Sequence, residues 1–353
     1  MNSPIYLAAD VLSQGFFSGI YKTTIALLLE LAKRHQVILY SAQGVPPHFL
    51  QIPNVSYATL PELNKAPLLP NSVCLLPCNG LFSLNETTRY FSLYRFYGKC
   101  AIVSIIYDTI YDVFQVPTVD SHYWVQESVR VANAIITPSL CSTQDLNKYY
   151  QVGDVEVHTV YLGTTIQPQP RNPGNAFVYI GGFNYRKGVD ILIKSLIHLL
   201  HQNRNVMVKL VGHTPDANLM NLINLAQATG LAEFIEIVDE KGLAELYSVS
   251  KALVYPSLYE GFGLPVLEAM RCKCPVIACN TSSIPEVGGS HILYTRPKDE
   301  IDLANKILAI ENGKIDVEQL TQDAYKHSLQ FDWTKTGLEY TRILNKAGES
   351  TFT

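Results

Sequence analysis

Positive charge is scarce in this chain, and so are long apolar runs. Lys and Arg number 27 against 31 Asp and Glu, a formal net charge of -4, which argues against a nucleic-acid binder with its basic face. Nowhere do roughly 20 apolar residues follow one another, so a membrane-spanning helix is not expected. The opening run Met1–Asp10 lacks the basic and long apolar regions of a signal peptide and reads as a strand entering a polar turn. A cytoplasmic location is therefore expected. No Gly-x-Gly-x-x-Gly follows the first strand, which weighs against a dinucleotide oxidoreductase. No Asp-x-Asp occurs either, and no metal site is expected. The seven cysteines are odd in number and sit mostly in apolar runs, as reduced core residues do. Cys272-Lys273-Cys274 has neither the spacing nor the neighbours of a zinc site.

What is present describes a globular protein of two domains: 353 residues, 47% hydrophobic and 16% charged. Strand-like runs at Ile5–Ala9, Val37–Ser41, Val73–Leu76, Ala101–Tyr107, Ala134–Thr137 and Val157–Tyr161 fill the first half, with an apolar-faced helix at Ile20–Arg34. The prolines and polar residues between Val45 and Pro70 show no readable period. Leu162–Asn175 holds three prolines and two glycines without periodicity, which marks a linker, centred on 166–175. A second series follows. Strands are expected at Ala176–Gly181, Val206–Val211, Phe234–Val238, Ala252–Tyr255, Pro275–Cys279 and Ile292–Tyr294, and helices at Val189–His201, Asn218–Ala228 and Glu240–Ser250. Such alternation predicts α/β domains with parallel sheets, whose ligands bind beyond the carboxyl ends of the strands.

The most informative stretch is Tyr255–Met270. A short buried strand ends at Tyr255, and a helix begins near Pro265, a residue suited to a first turn. Gly261 and Gly263 remove side chains where the backbone must come close to something. The helix's first amides favour an anion. Glu260 precedes the turn and Glu268 lies inside the helix. Paired acceptors flanking free amides suit a polyhydroxylated ligand that carries phosphate. Earlier, Gly181–Gly188 places Arg186 and Lys187 at another strand-to-helix turn, where they can neutralise a diphosphate. An isolated Arg-Lys pair is ordinarily a solvated basic turn; two phosphate-suited turns in one domain favour the ligand.

The run Glu260-Gly261-Phe262-Gly263-Leu264-Pro265-Val266-Leu267-Glu268 resembles the signature of the family 4 retaining glycosyltransferases, and the wider run Gly181–Gly289 looks most like those that build bacterial surface polysaccharides, many of them mannosyltransferases. Gly15–Leu31, Ala132–Ser139, Ser282–Gly289 and Phe331–Trp333 resemble further segments of that family. The resemblance implies a GT-B architecture, two doubly wound Rossmann-like domains facing across a cleft. Residues 1–165 would form the acceptor-side domain, joined by a helix at about 334–348 crossing back, and 176–333 the nucleotide-sugar domain. It implies retaining, metal-independent hexosyl transfer with no cofactor beyond the nucleoside diphosphate sugar. Arg186 and Lys187 would grip the donor's pyrophosphate, Glu268 the ribose and Glu260 the transferred sugar, with Gly261, Phe262, Gly263 and Leu264 lining the donor. Gly19 would bring backbone near phosphate and acceptor. Tyr107 stands where many relatives have histidine, before the retained Asp108, and a tyrosine lacks the imidazole's chemistry near neutral pH.

Val238-Asp239-Glu240 lies where the fold reads the base, and a carboxylate there suits guanine, although Asp239 is also a ready helix cap. GDP-mannose is thus slightly favoured, with a UDP-sugar next. Tyrosines and basic residues crowd the segment from Arg89 to Tyr123, fit equally for a core edge, for stacking on sugars, or for peripheral contact with a membrane carrying a lipid-linked acceptor. An epimerase or hydrolase on the same scaffold, and a non-catalytic nucleotide-sugar binder, are the alternatives.

Overall fold

The computed structural model describes residues 4–13, 19–116, 119–212, 217–235 and 239–350. The chain forms two compact units, the first from residues 1–163 with 332–353 and the second from 164–331.

In the first unit the chain runs β1 (Ile5–Ala8), α1 (Asp10–Ser13), α2 (Gly19–Ala32), β2 (Val37–Tyr40), β3 (Val55–Tyr57), α3 (Leu60–Lys65) and β4 (Val73–Leu76). It continues through α4 (Glu86–Phe96), β5 (Ala101–Ile105), α5 (Ile110–Val113), α6 (Val119–Val131), β6 (Ala134–Thr137), α7 (Leu140–Tyr149) and β7 (Glu156–Thr159). The second unit holds β8 (Ala176–Ile180), α8 (Val189–His201), β9 (Met207–Val211), α9 (Ala217–Ala228), β10 (Ala232–Ile235), α10 (Glu240–Val249) and β11 (Leu253–Tyr255). After these come α11 (Leu264–Arg271), β12 (Val276–Cys279), α12 (Ile284–Gly288), β13 (Leu293–Thr295), α13 (Glu300–Glu311) and α14 (Val317–Ser328). The last helix, α15 (Trp333–Ser350), returns to the first unit, where the Thr336 hydroxyl donates to the Tyr161 carbonyl at 2.8 Å.

Each unit contains one sheet, ordered β3-β2-β1-β4-β5-β6-β7 in the first and β10-β9-β8-β11-β12-β13 in the second, with parallel pairing throughout. Central strands such as Val73–Leu76 and Ala176–Ile180 are buried along their whole length, as strands covered on both faces must be. In both sheets the chain leaves the first strand in one direction and later returns on its other side. The reversals fall between β1 and β4 and between β8 and β11. There the loops part and leave room for a ligand.

The unreadable stretch 45–70 contains a short edge strand, β3, and α3, which begins with a reciprocal cap between Thr59 and Glu62. The connecting segment is less free than its composition suggests. Arg171 donates to the Ser250 carbonyl at 2.8 Å and to that of Tyr247, and the Gly174 amide donates to the Val249 carbonyl at 2.7 Å. These bonds satisfy carbonyls at the end of α10 and fasten the segment to the second unit. The strand expected at Phe234–Val238 is observed at Ala232–Ile235, and residues 236–238 lie outside the described residues. No helix among the described residues is long and apolar enough to cross a membrane.

Candidate active site

The turn after β8 is built so that two cations point one way. Asn184 accepts a hydrogen bond from the Lys187 amide at 3.1 Å, which winds Tyr185–Lys187 into a single tight turn. Gly188 then adopts a left-handed conformation, φ 68°. A Cβ at Gly188 would sit 2.1 Å from the Pro256 carbonyl oxygen, so only glycine lets this turn lie against the end of β11. Two hydrogen bonds close the seam: the Leu258 amide donates to the Arg186 carbonyl at 2.8 Å, and Arg186 Nη1 donates to the Tyr259 carbonyl at 2.9 Å.

Across that seam lies Glu260, which is 9% exposed. Its Oε1 accepts from Lys187 Nζ at 2.6 Å, from the Tyr255 hydroxyl at 2.6 Å and from the Ser257 hydroxyl at 2.5 Å. Arg186 Nη1 stands 3.8 Å from Oε2. Burial alone would raise the Glu260 pKa, but Lys187 and Arg186 outweigh it and hold the carboxyl below its ordinary range. Burial, reinforced by the Glu260 charge, pushes the Tyr255 hydroxyl well up, so tyrosine is the donor in that bond. The loop after β12 fixes the backbone, since the Glu260 amide donates to Ser282 Oγ at 2.9 Å and Ser283 Oγ donates to the Glu260 carbonyl at 2.8 Å.

Beyond Glu260, Gly263 turns with φ 100° into α11, where Pro265 occupies the first turn. Phe262 is buried and packs edge-on to Phe331 with centroids 5.8 Å apart, so it anchors the turn; Gly261 and Leu264 are partly exposed beside it. Glu268, one helical turn on, is buried and accepts from the Tyr247 hydroxyl at 3.1 Å. That tyrosine also donates toward the Pro265 carbonyl at 3.2 Å, tying α10 to α11.

Two candidate residues of the first unit, Tyr107 and Asp108, follow β5. Tyr107 and Asp108 both donate their backbone amides to Asn79 Oδ1, at 2.6 and 3.3 Å, and Ser142 Oγ donates to the Tyr107 carbonyl at 2.8 Å. Asn79 belongs to a rare succession, since Cys78, Asn79 and Gly80 are all left-handed with φ of 62°, 64° and 61°. The Tyr107 ring is buried, and its hydroxyl finds no hydrogen-bond partner among the described residues. The Asp108 carboxylate is half-buried, and Gly19 is exposed at the start of α2. Val238 lies outside the described residues, while Asp239 caps α10 by accepting from the Gly242 amide at 2.8 Å.

The second unit therefore brings Arg186, Lys187 and Glu260 together and holds Glu268 one turn further along α11. Sequence reasoning left three groups without roles. Tyr255 and Ser257 stood inside the central stretch, but nothing marked them as donors to Glu260. Ser282 and Ser283 were visible only as a loop. Tyr247 left no signal, because its hydroxyl reaches Glu268 from a different helix. Among the described residues no group of three or more His, Cys, Asp or Glu side chains could hold a metal ion. Burial pushes the Cys78, Cys100 and Cys272 thiols up to about 12, which leaves them unreactive.

Residues 165–327 match the family described as glycosyl transferases group 1. The O-antigen chain mannosyltransferase B of Escherichia coli is 28% identical over 227 residues, 59% of this chain and 59% of that protein. The serotype-specific mannosyltransferase WbdA, also from Escherichia coli, is 33% identical over 175 residues, 47% of this chain and 21% of that one. The chain thus spans only part of the length of these relatives. Among solved structures, sucrose-phosphate synthase from Thermosynechococcus elongatus superposes with a TM-score of 0.77 at 18% identity, covering 99% of this chain and 100% of that one. The Anabaena protein Alr3699/HepE, solved with UDP and glucose, gives a TM-score of 0.74 at 18% identity, over 98% and 100% of the two chains. Residues 165–327 thus match the group 1 glycosyl transferases, the two parallel-sheet Rossmann-like domains are of the GT-B fold, and the chain resembles surface-polysaccharide mannosyltransferases.

Proposed function

We propose that this protein is a retaining, metal-independent hexosyltransferase. It moves a sugar from a nucleoside diphosphate donor to a saccharide or lipid-linked glycan in surface polysaccharide synthesis. The observation that carries the reading is the Lys187–Glu260 pair, with Arg186 beside it, at the strand-order reversal of the second sheet. A diphosphate entering there exchanges partners with Glu260, so that Lys187 and Arg186 turn to phosphate oxygens and the released carboxylate accepts from sugar hydroxyls. Glu268 accepts from the ribose. When the sugar C1–O bond to phosphate breaks, the diphosphate gains charge, which the two cations stabilise. The acceptor oxygen bonds to C1 on the same face, and its proton passes to the departing phosphate oxygen. No enzyme nucleophile is needed; Asp108 and Tyr107 belong to the acceptor side of this reading. GDP-mannose is slightly favoured as donor, since the named relatives are mannosyltransferases, with a UDP-sugar next. The reaction would take place in the cytoplasm, and a lipid-linked acceptor would draw the enzyme to the inner face of the membrane.

The test is a panel of nucleotide sugars incubated with the protein, in chelator, with and without saccharide acceptors. Acceptor-dependent release of nucleoside diphosphate with an unchanged anomeric configuration is expected. An inverted product sinks the retaining assignment, activity restored only by manganese sinks metal independence, and isomerised donor without acceptor points to an epimerase.

A further inference from the structure

We propose that the outer face of α4 and α6 in the first unit is a docking surface for an uncharged polysaccharide chain. Tyr90 and Tyr94 on α4, and Tyr97 at its end, recur at the spacing that puts side chains on one helix face. They are 53%, 69% and 48% exposed, and Tyr123 on α6 adds a fourth ring at 54%. Among the described residues of α4 and α6, every large apolar side chain this exposed is a tyrosine.

The rings are set in place before any ligand arrives. Trp124 on α6 is the hub, meeting Tyr90 edge-on at 5.8 Å and Tyr123 at 4.9 Å, with the Arg89 guanidinium 4.2 Å above it. Lys99 Nζ stands 4.9 Å from the Tyr94 ring centre, and Arg130 lies 5.3 Å from that of Tyr97 while donating to its hydroxyl at 3.3 Å. Rings already positioned lose little freedom on binding.

Charge decides what such a face receives. Arg89 donates to the carbonyls of Leu81, Phe82 and Leu84, at 2.8, 3.1 and 2.9 Å. Arg130 is forked onto Glu127 at 2.7–3.0 Å, and Arg95 donates to the Ala66 carbonyl. The cations are thus engaged within the protein, and Glu86, Asp120 and Glu127 stand among them. A near-neutral face matches a neutral polymer better than an anionic bilayer or a nucleic acid, which draw on unpaired lysines and arginines. Nor does it offer the exposed leucines or phenylalanines with which an interfacial helix enters a bilayer. What it offers is hydroxyl-bearing aromatic planes, which can stack on the apolar face of a sugar and bond its hydroxyls. Tyr90, Tyr94 and Tyr97 advance along the axis by about 6 and about 4.5 Å, from the rise of 1.5 Å per residue. That step is comparable to one pyranose unit. Because α4 begins at the carboxyl edge of the sheet, the row leads away from the ligand end of this unit. A glycan held there stays near the enzyme between transfers; this use rests on the transferase reading, whereas the binding does not.

The experiment is native electrophoresis of the full chain through gels containing mannan, dextran or galactan, with wild type, Tyr94→Ala/Tyr97→Ala and Tyr94→Phe/Tyr97→Phe. At least one polysaccharide should retard the wild type, the alanine pair should weaken that affinity about tenfold, and the phenylalanine pair should stay near wild type, because the ring carries the contact. Tyr123→Ala, on the other helix, should weaken it as well. Transfer to a monosaccharide acceptor should be equal in all variants. If no polysaccharide retards the wild type, or the alanine pair is retarded equally, the proposal fails. It also fails if the alanine pair loses only co-sedimentation with phosphatidylethanolamine–phosphatidylglycerol vesicles, which makes this a membrane face. Retardation without any glycosyl transfer would leave the docking surface standing and remove the transferase reading instead.

Discussion

Replacing Lys187 by alanine removes the closest cation from a buried carboxylate, and the consequence should change with pH in a defined direction. In the wild type, Glu260 holds a folded-state pKa below its unfolded value near 4.5. Its contribution to stability is therefore complete above about pH 4.5 and is lost as pH falls through the lowered folded value. Without Lys187, its charge and its hydrogen bond no longer oppose burial, the largest single influence on this carboxyl, and the folded pKa moves up. The variant then carries a penalty at neutral pH that fades on acidification. Breaking a buried ion pair from one side costs roughly 3–5 kcal/mol. Tyr255, Ser257 and Arg186 still face Glu260, which argues for the lower end, about 3 kcal/mol at pH 7. For a unit of this size that is a fall of about 5–10 °C in melting temperature. Scanning calorimetry of both proteins without nucleotide, at pH 7 and at pH 4, reads it directly. A gap at pH 4 as large as at pH 7, or none at pH 7, would refute the argument. In the same variant, transfer should slow by roughly a hundred- to a thousandfold, as with the loss of one preorganised charge-stabilising donor.

Three other outcomes follow from single contacts. Tyr107→Phe should leave stability unchanged or raise it by up to about 1 kcal/mol, because the buried hydroxyl it removes has no partner among the described residues; a clear loss in chemical denaturation would show a bond not accounted for. Gly188→Ala should cost about 3 kcal/mol or more, since the added methyl meets the Pro256 carbonyl and the backbone is left-handed; a melting temperature near wild type would mean that this seam yields easily. Calorimetry should show GDP binding more tightly than UDP; if UDP binds tenfold more tightly, about 1.4 kcal/mol, the guanine preference is wrong.

Continuous apolar runs were the easiest features to place from sequence, because both faces of a central parallel strand are buried; β4 and β6 start and stop as their residues suggest. Edge strands were harder. β3 is three residues long with an exposed serine at its centre, too short to show a period, and β10 carries the exposed Glu233 and Phe234. The run Ala101–Tyr107 overshoots the observed β5 for a different reason. Ile106 and Tyr107 are as buried as the strand before them, but the Tyr107 amide bonds Asn79 instead of a neighbouring strand. Composition cannot reveal which acceptor a backbone amide will find. In the site, Arg186, Lys187, Glu260 and Glu268 were legible because their spacing around glycines is a pattern in one dimension. Their partners Tyr255, Ser257 and Tyr247 were not, since each bond depends on where two elements meet in space.

The contact between Gly188 and Pro256 also bears on how this sequence can change over generations. Every other genetically encoded residue has a β-carbon, so no replacement of Gly188 reaches a tolerated neighbour, and drift of the residue at this position stops at once. Arg186 and Lys187 reach their partners through flexible stems and have nearby alternatives in chemistry, if not in function. Selection on the fold alone would therefore preserve the glycine even in a descendant that had lost both cations. A sequence that keeps this glycine but not the Arg-Lys pair is thus a candidate for a relative that retained the architecture and abandoned the reaction.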